Sequence, residues 1–150
     1  MRINGILFLL LVFLLSSCGG RKQNAQQQTQ TQTPASTEKS DEMANHPGKR
    51  VYYSVCLACH MADGSGVPGM HPPLIQTDWV NGDKARLIEI TLNGMSGKIE
   101  VNGETYNSIM PPHSHLSDKQ IADVLTYIRQ SFGNNASEVT VQEVQQVRNK

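Results

Sequence analysis

Aromatic side chains are scarce in this chain. Phe, Trp and Tyr together make up 5% of its 150 residues, with a single Trp. A core built around large rings is therefore excluded, and a domain of roughly 105 residues would have a thin core if protein alone had to fill it. An excess of charge of either sign is missing as well. Lys and Arg total 13 and Asp and Glu total 13, and residues 41–150 hold 9 basic against 12 acidic side chains. That balance lacks the basic footprint of a nucleic-acid binder, so partner recognition must rest on local patches. No apolar run is long enough to span a bilayer, which takes about 20 residues. The longest, "ILFLLLVFLL" from Ile6 to Leu15, is half that. Cysteine occurs three times, at Cys18, Cys56 and Cys59, which leaves no second pair at metal spacing for a zinc knuckle.

What is present begins with an export signal. Arg2 forms a short basic region, Ile6 to Leu15 an apolar one, and Ser16 and Ser17 supply small residues. Residues 1–17 are thus expected to be removed. "LSSC" at 15–18 resembles the lipobox of bacterial lipoproteins. The resemblance implies that Cys18 is the lipidated first residue of the mature chain, held at a membrane of the cell envelope and facing the periplasm or exterior. Several acyl chains on one residue anchor stably where one does not.

Residues 18–45, rich in Gln, Thr and Ser, offer almost nothing apolar to bury. Such a segment cannot offset the entropy of ordering and reads as a flexible tether, with a root-mean-square reach of about 30 Å. Residues 46–150 make one domain's worth of sequence.

Within that domain "CLACH" places two thiols three apart and an imidazole directly after the second. On a helical turn Cys59 and His60 lie at i+3 and i+4 from Cys56 and share its face. Two thiols can add to the edge of a porphyrin while the imidazole reaches its iron, so the motif reads as attachment of one haem c through two thioethers. A thioredoxin-like dithiol would need a βαβ setting and has no use for the His. With Cys56 and Cys59 committed to haem and Cys18 to lipid, no thiol remains for a disulfide. A large flat apolar cofactor would also supply the core the composition lacks, and the apo chain is expected to fold poorly.

Four helices and a hairpin are legible. Pro47 suits a first helical position, with Val51, Tyr52 and Val55 forming a stripe that leads into the haem motif. "DKARLIEITL" predicts a helix over 83–92 ended by Gly94. Asn102-Gly103 is a two-residue hairpin signal. "LSDKQIADVLTYIRQSFG" predicts the clearest helix, with Ser117 and Gln120 as a capping box, Leu116 and Ile121 as a staple, and Gly133 as the stop. Thr140 and Glu143 form another capping box before "VQEVQQVR".

The second axial ligand must come from Met70, Met95, Met110, His71, His113 or His115. Met110 stands before two prolines, which fix φ and remove backbone donors, and a stiff segment of this kind can hold a weak thioether on iron. A thioether favours the ferrous state and raises the reduction potential. His113 or His115, the other methionines and an open site are the alternatives. The axial His60 needs a carbonyl for its second ring nitrogen, and the prolines of "HPPLI" are suited to provide one.

From about His46 onward the chain resembles single-haem class I cytochrome c domains, of the compact bacterial kind found as lipoproteins or fused to quinoprotein dehydrogenases, nitrite reductases and terminal oxidases. "GKRVYYSVCLACHMADGSG", "PPL", "DWV", "LNGMSGKIEVNGETYNSIMPP" and "LSDKQIADVLTYIR" carry the resemblance. It implies an all-α fold of four to five helices around one covalent haem, with a short β-hairpin. It implies Pro72 as the carbonyl partner of His60, Leu74 packed on the haem, and Gly48 and Tyr52 crossing the long helix near Leu125 and Tyr127. It sets Trp79 near a haem propionate; the other reading of Trp79 is a core aromatic.

With both axial positions filled, the expected activity is one-electron transfer, not enzymatic turnover, in a respiratory or dehydrogenase chain. A terminal oxidase, a reductase or a quinoprotein dehydrogenase would be the partner. Met61, Val67 and Met70 flank the haem edge, either as a docking patch or as haem lining. The alternative is a haem enzyme or gas sensor whose sixth ligand dissociates.

Overall fold

The computed structural model describes residues 42–150. The export signal, Cys18 and residues 18–41 of the tether lie outside the described residues. The remaining tether residues are described, and Met43 among them is buried in the core at 7% exposure. The packed region therefore starts ahead of His46.

One helical stretch runs from Pro47 to His60 in three parts: α1 (Pro47–Val51), a π-helical turn (Tyr52–Cys56) and α2 (Leu57–His60). Pro47 takes the first turn, where a missing N–H costs nothing, and the His46 ring accepts the Gly48 N–H at 3.1 Å. A short helix, α3 (Asp78–Asn81), follows within the Gly/Pro-rich stretch. The Thr77 hydroxyl caps it by accepting the Val80 N–H at 3.1 Å. Helix α4 (Lys84–Asn93) is capped by Asp83 and buries Ile88 and Leu92.

Strands β1 (Ile99–Val101) and β2 (Glu104–Tyr106) pair antiparallel, Ile99 opposite Tyr106. Asn102 and Gly103 both take positive φ, 51° and 80°, as a primed two-residue turn demands. Helix α5 (Asp118–Gln130) carries the expected capping box, and Leu116 and Ile121 flank its start, both buried. It ends at Gln130, ahead of Gly133: Ser131 turns extended and Phe132 adopts φ 57°. Helix α6 (Val141–Arg148) has the Thr140/Glu143 box. It packs on α4 and α5 through fully buried Val144, with Arg148 bound to Asp118 at 2.6 Å and Glu143 paired with Lys84.

Helices gathered around one core plus a two-stranded hairpin make up the fold, as the resemblance implied. Its organising contact is the crossing of α1 and α5. Gly48 lies so close to α5 that a Cβ there would sit 2.0 Å from the Asp123 carbonyl oxygen and 2.8 Å from Tyr127 Cβ. Beside the crossing, Tyr52, Tyr127 and Phe132 form a ring cluster with centroids 5.2 to 5.7 Å apart. The few aromatics are thus concentrated where two helices meet, each ring pair contributing about 0.5–1.5 kcal/mol beyond its buried area. Arg129 is buried, and its guanidinium donates to the carbonyls of Val80, Gly82 and Ser137 and so ties α5 to the end of α3.

Candidate functional site

The π turn and α2 bring Cys56 and His60 into the lining of one apolar cavity. Burial, and then the neighbouring Cys59, push the Cys56 thiol up to about 12. A reactive thiol needs the opposite shift, so Cys56 is not poised as a redox nucleophile.

His60 faces the cavity with one ring nitrogen engaged. Its Nδ1 lies 3.0 Å from the Pro72 carbonyl oxygen, which can only accept, so Nδ1 carries the proton and Nε2 keeps a free lone pair. Burial holds the imidazole below its usual pKa, outweighing the opposing effect of the Pro72 bond. The ring therefore stays neutral, the form that ligates metal.

Two further devices fix this wall, and neither is legible in the sequence. Tyr52 Oη donates to the Met61 carbonyl at 2.7 Å, pinning the turn that follows His60, where Met61 takes φ 64°. Gly66 backs the Pro72 peptide so closely that a Cβ would lie 2.4 Å from the His71 oxygen and 2.6 Å from the Pro72 oxygen. A glycine in a turn-rich run gives no signal of which peptide it will meet.

Met110 and Met95 line the same cavity as His60. Met110 and Met95 form an isolated antiparallel bridge, each N–H donating to the other's carbonyl at 2.9 Å. Gly94 (φ 74°) lies under the strap: a Cβ would meet the Met110 oxygen at 2.5 Å and the Pro112 nitrogen at 2.9 Å. The His113 N–H donates to the Thr91 carbonyl at 3.0 Å, fastening the strap's far side to α4. Leu87 and Ile90, predicted as helix core, line the cavity along with Leu74.

Trp79 also lines the cavity, and its indole N–H donates to the Glu100 carbonyl at 2.9 Å. The Arg86 guanidinium lies over the ring at 4.5 Å, with its buried Nε lacking a hydrogen-bond partner.

A second lobe shares Cys56, His60 and Met110 and adds Cys59, His71 and Ile109. Ile109 is 74% exposed, and Met61 and Met70, next in sequence to the lining residues His60 and His71, are 42% and 52% exposed. Glu104 ties the hairpin to this rim, one carboxylate oxygen accepting the Gly69 N–H at 3.0 Å and the other the Tyr106 hydroxyl at 2.8 Å. His115 stacks edge-on against His113, with centroids 5.9 Å apart.

These features fit a haem. The cavity has aliphatic walls, two thiols, a neutral imidazole nitrogen and a thioether, and Trp79 in its lining is covered by the Arg86 guanidinium, whose buried Nε has no hydrogen-bond partner. Among the described residues no cluster of three or more His, Cys, Asp or Glu could hold a metal ion on its own.

Comparison with known proteins gives the same direction. The family description "Cytochrome c" matches residues 46–132. A cytochrome c-552 of Thermus thermophilus is 35% identical over 118 residues, covering 72% of this chain and 78% of that protein. The cytochrome c subunit of the quinone-dependent alcohol dehydrogenase of Gluconobacter oxydans is 33% identical over 121 residues, covering 78% of this chain and 24% of that protein. The gluconate 2-dehydrogenase cytochrome c subunit of Pantoea cypripedii is 37% identical over 109 residues, 67% of this chain and 24% of that one.

Proposed function

Since this chain belongs to the cytochrome c family, we propose that it is a one-electron carrier whose single haem is bound covalently by Cys56 and Cys59 and ligated by His60 and Met110. Haem c with its iron is the family's cofactor, and it supplies one-electron exchange. Cys56 and Cys59 provide the sulfurs for the two thioethers. His60 presents Nε2 because Nδ1 is held by Pro72, and Met110 presents a neutral sulfur that favours the ferrous form. Leu74 would pack on the macrocycle, and Arg86 beside Trp79 would offer a cation to its carboxylates, the indole N–H being engaged by the Glu100 carbonyl.

The observation that carries this reading is that His60 and Met110 line one apolar cavity and both are backed by backbone too close for any side chain, at Gly66 and Gly94. Ligands held this firmly leave no position for substrate and limit rearrangement on electron transfer, which suits a carrier and not a catalyst.

Export, lipidation of Cys18 and the 18–45 tether would place the domain outside the cytoplasm on an envelope membrane. No helix among the described residues is long and apolar enough to cross a membrane. Dehydrogenase cytochrome subunits among the relatives favour a dehydrogenase as one redox partner, with a terminal oxidase or reductase as the other. The exposed Met61, Met70 and Ile109 mark the edge through which electrons pass.

The test is spectroscopic. The ferric protein should show the near-red absorption of thioether-bound haem, and the ferrous protein should resist carbon monoxide at neutral pH. A ferric protein without that absorption, or a ferrous one that takes up carbon monoxide readily, replaces the carrier with a haem enzyme or gas sensor.

A further inference from the structure

The cavity that His60 lines also holds two thioethers. Met95 and Met110 are direct partners in a mutually hydrogen-bonded antiparallel pair, at 2.9 Å in both directions. In such a pair both side chains leave the ribbon on the same face, with Cα atoms about 5.5 Å apart. Both line the main cavity and its second lobe, as His60 does.

Their backbones differ in freedom. Met110 is followed by Pro111 and Pro112, and its carbonyl rests against Gly94. Met95 stands between Gly94 at φ 74° and Gly97 at φ 99°, and nothing lies within 4 Å of a Cβ built on Gly97. A methionine has three rotatable side-chain bonds and fills irregular space readily. One sulfur is thus carried on a proline-stiffened strap, and the other sits directly beside it on a segment whose C-terminal side, at Gly97, is open.

We propose that Met95 is a second thioether donor to the haem iron, taking the sixth position whenever Met110 leaves it. This rests on the reading of Met110 as the resident ligand. In the exchange the bond from iron to the Met110 sulfur breaks and the bond to the Met95 sulfur forms. Both donors are neutral, so no proton or electron moves. The consequence is protective: small ligands must compete with a nearby thioether during every opening of the strap, and the fraction of time the iron is open falls accordingly.

The experiment uses matured holoprotein of the parent, Met95→Leu, Met110→Leu and the double variant, read by ferric near-red absorption and by ferrous carbon monoxide binding. Met110→Leu should keep thioether-type absorption at reduced intensity, and the double variant should lose it. Carbon monoxide should bind the double variant faster than Met110→Leu by on the order of tenfold or more. Should Met110→Leu mature poorly, Met95→Leu still decides: it should keep the parent absorption yet bind carbon monoxide several-fold faster. Met110→Leu behaving like the double variant, or an unchanged rate in Met95→Leu, overturns Met95 as a donor and leaves the carrier reading standing. Loss of the absorption in Met95→Leu with full retention in Met110→Leu overturns the proposal and the assignment of Met110 together.

Discussion

Replacing Gly48 with Ala sets two effects of opposite sign against each other. In a helix interior Ala is favoured over Gly by about 1 kcal/mol, so propensity alone predicts a more stable protein. The crossing predicts the reverse. The new Cβ would lie 2.0 Å from the Asp123 oxygen and 2.5 Å from its carbonyl carbon, where ordinary contact begins at 3.4 Å. These are backbone atoms of α5, so the helices must separate by about 1.4 Å, the difference between those two distances. A gap of about 0.5–1 Å already forfeits a quarter to a half of each dispersion contact across it. The contacts at stake involve Tyr52 and Tyr127, 0% and 6% exposed. Overpacking of this kind costs about 1–3 kcal/mol or more. With the upper part of that range offset by the propensity gain, the net is a loss of about 2 kcal/mol. For a domain near 100 residues that lowers Tm by about 8–16 °C. Thermal and guanidinium unfolding of the ferric holoprotein, followed in the far ultraviolet, measures it. A variant as stable as the parent would show that α1 and α5 do not approach as described.

Two other outcomes can be checked. The Glu143 carboxyl is held below its ordinary value of 4.5, first by Lys84 and then by the Thr140 N–H, so its contribution is present above that value and lost as pH falls through the depressed one. Because the pair is partly exposed, Glu143→Gln should cost only about 0.5–1 kcal/mol at pH 7, a difference that closes below pH 4.5 in a urea series; a difference that persists in acid would refute the assignment. The segments 54–62, 64–77 and 105–117 contain no Lys, Arg, Asp or Glu, and the charges that interrupt them, Asp63 and Glu104, are both acidic. Electron self-exchange measured by NMR, in which two such faces meet, should therefore rise by about twofold between low and high salt as this like-charge repulsion is screened; a rate that falls steeply with salt would mean that electrons leave by another face.

Features written within a few residues were legible without coordinates. Both capping boxes, the Asn102-Gly103 turn and the helix that carries the two thiols and His60 depend on neighbours three or four positions away, and the structure contains them. Features that depend on distant neighbours were not. Helix α3 is a single turn inside a Gly/Pro-rich run, held by the Thr77 cap and by the donation from Arg129, 49 residues away along the chain. Leu87 and Ile90 fit an ordinary buried stripe, and only the cavity beside them explains why they are half-buried. Helix α5 stops at Gln130, short of the expected Gly133, because Phe132 turns back onto Tyr52 before the glycine is reached. The link from Glu104 to Gly69 spans 35 residues and has no local signature at all.

The wide turn at Tyr52–Cys56 has a bearing on how this protein can change over generations. An α-helix advances roughly 100° per residue, and a π turn accommodates one residue more than that winding allows. Losing one residue from 52–56 would let the backbone rewind with every peptide still paired, so the chain would tolerate the deletion mechanically. Five residues wound this widely turn the axis about as far as four in an α-helix, so the side chains beyond, Cys59 and His60 among them, would keep their azimuth. Loss of one residue should therefore be tolerated better in this short stretch than anywhere else between Pro47 and His60.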